Sequence, residues 1–181
     1  MGTQVNALEL VDHLVDRLNS RNPTDVFDID VEIDAGARKP IDIESNPRFM
    51  ANPEFEWPSD LLHRLPASLE HLVQSYAFPC VELGPILLYA NTGGATCREL
   101  NNLLLSQAGW SPFLRDAGFL EIGKPSTGSF DAVCLDARQE CPGREYPLVR
   151  LDHEVLFEER LPKPHRIAKS FNALVESIIR S

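Results

Sequence analysis

Hydrophobic and polar positions alternate most clearly between Asp25 and Asp34, in the segment DVFDIDVEID. Successive side chains of a strand point to opposite faces, so this pattern predicts a strand with one apolar and one acidic face. A turn at 35–40 and renewed alternation at 41–44 extend the prediction to a hairpin. The apolar face would carry Phe27, Ile29, Val31 and Ile33, and the acidic face Asp28, Asp30, Glu32 and Asp34.

Three apolar runs in the second half of the chain predict the centre of the fold. They cover 119–122, 132–135 and 147–151. A segment of Gly, Pro, Ser and Thr separates the first two runs, and a loop rich in Gly, Pro and charge separates the last two. The near-continuous apolar character of the middle run indicates a central strand that is covered on both faces. We therefore expect an antiparallel meander. Phe130, just before the middle run, belongs to the same apolar signal, and its ring is expected to be costly to remove if it is buried.

Helical periodicity surrounds this predicted sheet. Thr3 is a plausible N-cap for the first helix, and the last helix would turn Ile167, Phe171 and Leu174 inward. Predicted helices cover 3–20, 66–77, 98–107 and 165–180, and a strand interrupted at Gly84-Pro85 covers 81–90. Residues 109–112 are expected to form a turn. With no repeat or linker in view, the chain is predicted to be one α+β domain over 1–181, in which 1–60 supplies the first helix, the acidic hairpin and a loop.

The meander segments also resemble those of a known family. The stretches IG at 122–123, GSFDAVCLD at 128–136 and PLVRLDH at 147–153 resemble the SUKH superfamily, as do LPASL at 65–69 and IAKSFNAL at 167–174. The similarity extends from Leu65 to about Ile179. That family contains yeast cell-wall synthesis regulators and bacterial immunity proteins. The resemblance implies an α+β fold of this type and binding to a protein toxin, and the family has no established catalytic role for the segment matching 152–154.

Composition and charge narrow the classes of partner. The chain has 181 residues, 27 of them acidic and 17 basic, for a net charge of −10. This balance argues against nucleic acid or an anionic membrane as the main partner and is compatible with a basic protein. No apolar run approaches the roughly 20 residues of a membrane span, and no signal peptide is visible.

The four cysteines, Cys80, Cys97, Cys134 and Cys141, lack zinc-site spacing. Cys134 lies in an apolar run, where a reduced core thiol is expected, although a Cys134–Cys141 disulfide remains an alternative. Reduced cysteines without an export signal favour the cytoplasm.

Three segments were weighed as sites of chemistry. Asp152-His153-Glu154 could supply a base or a metal ligand, but a strand end that leads into a solvated turn also explains it. The segment 91–96 lacks the end of a P-loop, and Ser126 and Ser129 lack the frame of a nucleophile elbow. We therefore predict no catalytic residue, no metal and no cofactor.

The acidic face of the predicted strand is the candidate binding site. Its four carboxylates either form a solvated face that protects an edge strand or attract a basic partner. We predict a non-enzymatic protein-binding domain, and the resemblance to the SUKH superfamily implies its most concrete form, an immunity protein that neutralises a toxin domain. A scaffold module with an endogenous partner is the alternative, and a small-molecule or metal-dependent enzyme has less support. The predicted partner-binding residues are Asp28, Asp30, Glu32 and Asp34.

Overall fold

The computed structural model describes residues 6–19, 64–75, 81–89, 111–138 and 141–181. Within these ranges there are five α-helices and six strands. The helices are α1 (Ala7–Asn19), α2 (Ala67–Ser75), α3 (Ser111–Asp116), α4 (His153–Phe157) and α5 (Phe171–Arg180). The strands are β1 (Val81–Leu83), β2 (Ile86–Leu88), β3 (Phe119–Pro125), β4 (Ala132–Asp136), β5 (Leu148–Leu151) and β6 (His165–Ala168), and a short 3₁₀ helix spans Pro142–Arg144.

The six strands form one antiparallel sheet in the order of the sequence, β1 to β6. Each strand therefore pairs with its neighbours along the chain, including β2 with β3 and β5 with β6, whose connections contain helices. The predicted meander is confirmed as β3, β4 and β5. The α+β class is also confirmed, because helices pack against a wholly antiparallel sheet.

The sheet is covered on both faces, and the alternation along the strands decides which residue faces which layer. Val133 and Leu135 of β4 join a core with α1, α2 and α5. Ala132 and Cys134 join a second core with Leu114 of α3 and Leu156 of α4. The prediction of a central strand that is buried on both sides is thus confirmed, and the Cys134–Cys141 disulfide is wrong because both thiols are free.

The C-terminal helix begins later than predicted. Residues 165–168, which were expected to open it, form β6 beside β5. Ser170 is the N-cap of α5, and its hydroxyl accepts a hydrogen bond from the amide of Ala173. The predicted inward face is confirmed, with Phe171, Leu174, Val175 and Ile178 buried and Ile167 packed against the same core.

Two other local predictions change. The interrupted strand at 81–90 is a hairpin, because Gly84 has a φ of 59° and Leu83 pairs with Ile86 across a two-residue turn. The expected turn at 109–112 gives way, from Ser111 onward, to α3. Pro112 lies in the first turn of α3, where a missing N–H group breaks no helical hydrogen bond.

The acidic face 28–34, the helix 98–107, the segment 91–96, Thr3, Cys80 and Cys97 lie outside the described residues. Just before α1, the Asn6 side chain accepts a hydrogen bond from the amide of Leu8. None of the helices in the described residues is long and apolar enough to cross a membrane.

Candidate functional site

Within the described residues, the candidate site is the junction where β4 begins and β5 ends. Ala132 and Leu151 pair across these two antiparallel strands. The residues just outside the pair, Asp131 and Asp152, are therefore brought together although 21 positions separate them. Helix α4 starts at once after Asp152, which places His153 beside Asp131.

Asp131 holds this junction together through its carboxylate. Its Oδ1 accepts from the backbone amide of His153 at 3.1 Å and lies 2.7 Å from the Nδ1 of the same residue. An ionised carboxylate has no proton to donate, so Nδ1 is the donor and the imidazole orientation is set. Burial opposes the charge on Asp131. The hydrogen bonds from His153 and Ser129, together with Arg150, outweigh that effect and lower the pKa of Asp131.

Asp152 begins α4. Its carboxylate accepts from the amide of Glu154 at 2.9 Å, which is the N-cap arrangement that aspartate favours. The sequence interpretation of 152–154 as a strand end that leads into a turn is therefore incomplete, since a helical turn starts there. The hydrogen-bonded His153 of that interpretation is confirmed.

Two exposed phenylalanines flank His153. Phe130 is 74% exposed and Phe157 is 70% exposed, whereas most large apolar side chains of the described residues are buried. Their ring centroids lie 6.0 and 6.1 Å from that of His153, with the ring planes inclined by 60° and 71°. We call Phe130, His153 and Phe157 the aromatic patch. Phe130 follows the apolar pattern of β4 in the sequence, but the condition of a buried ring, on which a large cost of its removal depended, is not met.

Acidic side chains lie along α4 and just past its end, next in the chain to the patch residues His153 and Phe157. Asp152, Glu154, Glu158 and Glu159, which we call the acidic rim, are all exposed. Glu159 adopts a left-handed conformation, with a φ of 54°, just after the helix. The amides of Glu159 and Arg160 donate to the carbonyls of Leu156 and Val155, which is the Schellman arrangement. Glycine is the usual residue at this position, so a glutamate here is a strained choice.

The same junction has the composition of a metal site. One ligand-type atom from each of Asp131, Asp152 and His153 lies within 4.8 Å of the others. In the structure these groups instead form a hydrogen-bonded network, because Asp131 uses Oδ1 for His153 and its Oδ2 lies 3.5 Å from the Nε of Arg150. A cation would have to displace both partners of Asp131. Ser129, weighed as a nucleophile, accepts from the amide of Asp131 at 3.2 Å and so belongs to the turn.

Two features of the described residues do not follow from the sequence pattern. Glu121 was passed over inside an apolar run, yet it is only 5% exposed in the central strand β3, in register with Cys134. Burial, together with Glu121 and Asp136, raises the pKa of the Cys134 thiol well above its usual value. The exposure of Phe130 was also missed, because neither its type nor its spacing differs from that of a core residue.

The structure does not describe the four predicted partner-binding carboxylates, so their role stays a prediction. No family model, no curated protein and no solved structure matches this chain. The candidate site therefore depends on its own geometry.

Proposed function

We propose that this chain is a non-enzymatic protein-binding domain that engages a basic partner through the aromatic patch. The exposure of Phe130 and Phe157 side by side with His153 carries the proposal. Aromatic side chains, phenylalanine among them, are enriched in the buried centres of protein interfaces. Their exposure lowers the stability of the free protein little and is repaid when a partner covers them.

The charge around the patch supports a basic partner. The acidic rim places four exposed carboxylates on the segment 152–159, which contains His153 and Phe157, although the Glu158 carboxylate pairs with Arg160, and the whole chain has a net charge of −10. Such a field accelerates association with a positively charged surface and disfavours anionic partners. The acidic face at 28–34 would strengthen the same field, whatever its position relative to the patch.

The resemblance to the SUKH superfamily makes the proposal more specific. We propose a cytoplasmic immunity protein that covers the nucleic-acid path of a basic toxin nuclease and so blocks it. Nucleases bind phosphate backbones with Lys and Arg, which an acidic aromatic surface complements. A scaffold module with an endogenous partner would use the same surface, and the identity of the partner distinguishes the two.

Site-specific photo-crosslinking tests the proposal. The protein is produced in its native cells with a photoreactive phenylalanine at position 130. The same photoreactive residue at position 8 of α1, where Leu8 is also exposed, measures non-specific crosslinking. We expect the probe at 130 to capture a basic toxin domain, whose toxicity to a test host is relieved by co-expression of this protein. Capture of a non-toxic endogenous protein would favour the scaffold alternative.

Affinity measurements then test the patch itself. Replacing Phe130 and Phe157 together by Ser is expected to weaken binding of the captured domain by about 30-fold or more, as loss of a hot spot of about 2 kcal/mol implies. Circular dichroism checks that the variant is folded. Unchanged affinity in a folded variant would move the binding surface elsewhere, with the acidic face at 28–34 as the next candidate.

A further inference from the structure

We infer that the aromatic patch and Asp152 form a binding site for an arginine side chain of the partner. The guanidinium group would rest against the exposed phenyl ring of Phe130, beside His153, and pair with the Asp152 carboxylate. This inference rests on the proposed function, because it specifies which chemical group of a basic partner the patch recognises.

The rings are arranged to receive a cation. The face of an aromatic ring carries negative potential and attracts a cation that lies within about 6 Å of its centre. The imidazole of His153 is the common neighbour of both phenyl rings, which are inclined to it by 60° and 71°. Exposures of 74% and 70% leave most of each phenylalanine accessible to a ligand.

The chain already contains one contact of this kind. The guanidinium carbon of Arg138 lies 4.6 Å from the ring centre of Phe119, and the same guanidinium donates two 2.7 Å hydrogen bonds to Asp136. One aromatic face and one carboxylate thus hold a single arginine. Exposed phenylalanines beside an aspartate offer the same pair of groups to an arginine of another protein.

Asp152 is the carboxylate suited to the partner. Asp131 is occupied, since His153 and Arg150 engage its two oxygens. Asp152 is exposed, and its carboxylate accepts one hydrogen bond, from the amide of Glu154. An ionised carboxylate has about four acceptor positions, so it can keep the helix cap and still accept a guanidinium. One oxygen of the Asp152 carboxylate lies within 4.8 Å of a ring nitrogen of His153.

Arginine fits this site better than lysine or an anion. Its planar guanidinium stacks on aromatic faces, pairs with a carboxylate through two parallel N–H groups and is weakly hydrated, whereas the lysine ammonium is compact and strongly hydrated. The acidic rim repels phosphate and carboxylate ligands.

Titration with a small probe tests the inference without a partner protein. Acetyl-arginine N-methylamide is added to the full chain, and the aromatic proton signals of Phe130 and Phe157 are followed by NMR. Two matched compounds serve as controls. The citrulline amide has nearly the same shape as the arginine amide but no charge, and the lysine amide is charged but lacks the planar guanidinium with its parallel N–H groups. The variants are Phe130→Leu and Asp152→Asn, and the second keeps the helix cap because asparagine caps as well as aspartate. Glu9→Gln on α1, which packs on the other face of the sheet, is the control for net charge.

We expect millimolar binding of the arginine amide, weaker by about threefold or more in each of the two variants, and little changed in Glu9→Gln. The citrulline amide should not saturate the signals, and the lysine amide should bind more weakly than the arginine amide. Equal binding of citrulline, equal binding of lysine, or an unchanged affinity in both Phe130→Leu and Asp152→Asn would each overturn the inference.

The two proposals fail separately. If the partner domain loses affinity in the phenylalanine variants but no arginine probe binds, the protein-binding proposal stands and the arginine site is refuted. If the arginine amide binds as expected but no partner uses the patch, the protein-binding proposal fails.

Discussion

Of the glycine-to-alanine substitutions at the described glycines, Gly123→Ala should lower the free energy of unfolding most. Gly123 lies inside β3, opposite Leu88 of β2 and Val133 of β4, immediately after a register shift at Glu121. A Cβ atom at this position would lie 2.3 Å from the carbonyl oxygen of Leu87 and 3.1 Å from its carbonyl carbon. The neighbours are backbone atoms, so no side chain can rotate away to make room.

The size of the effect follows from that distance. Carbon–oxygen contacts between neighbouring strands are ordinarily about 3.3 Å or longer, so β2 and β3 would have to separate by about 1 Å. Overpacking of this kind costs about 1–3 kcal/mol, and each weakened ladder hydrogen bond adds about 1 kcal/mol. We expect a loss of about 3 kcal/mol in the free energy of unfolding, which corresponds to a melting temperature lower by about 6–12 °C in a chain of this size.

Urea unfolding followed by circular dichroism measures this loss, with Gly128→Ala as the matched control. Gly128 has a positive φ of 87°, but no heavy atom lies within 4 Å of the Cβ atom that alanine would add. Its substitution should therefore cost only about 1 kcal/mol. The reasoning is refuted if Gly123→Ala is no more destabilising than Gly128→Ala. It is also refuted if Leu87→Ala restores stability, because the clash is with backbone atoms.

Three further outcomes can be measured by the same unfolding assay. Phe130→Ala should change the unfolding free energy by less than about 0.5 kcal/mol because the ring is exposed, whereas Phe119→Ala, fully buried, should cost about 3–5 kcal/mol; equal effects would contradict the exposure. Glu159→Gly should stabilise the chain by about 0.5–1 kcal/mol by relieving the left-handed glutamate, and a loss of stability would speak against that strain. The folded-state pKa of Asp131 is lowered, so its ionised carboxylate contributes to stability above the unfolded pKa of about 3.9. That contribution is lost as the pH falls through the folded-state pKa, and the stability difference between the wild type and Asp131→Asn should therefore shrink in acid. A difference that grows in acid would refute the assignment.

Local periodicity was enough to predict the meander and the inner face of α5. An apolar run of strand length, or apolar residues at helical spacing, involves only positions that are close together in the sequence. The hydrophobic effect then buries the apolar face. The same reasoning explains why β4 was recognised as covered on both faces, since all four of its first residues, Ala132 to Leu135, are apolar or thiol-bearing and all four are buried.

The boundaries of α5 and the candidate site depended on tertiary structure. Residues 165–168 fit a helix or a strand by pattern, and pairing with β5 decided for the strand. Asp131 and His153 meet only because the register of β4 with β5 brings distant positions together. Whether Phe130 faces the core or the solvent depended on the turn that precedes β4, and no periodicity extends through a turn. Pairing register and turn geometry are long-range properties, which is why the aromatic patch could not be predicted from the amino-acid pattern alone.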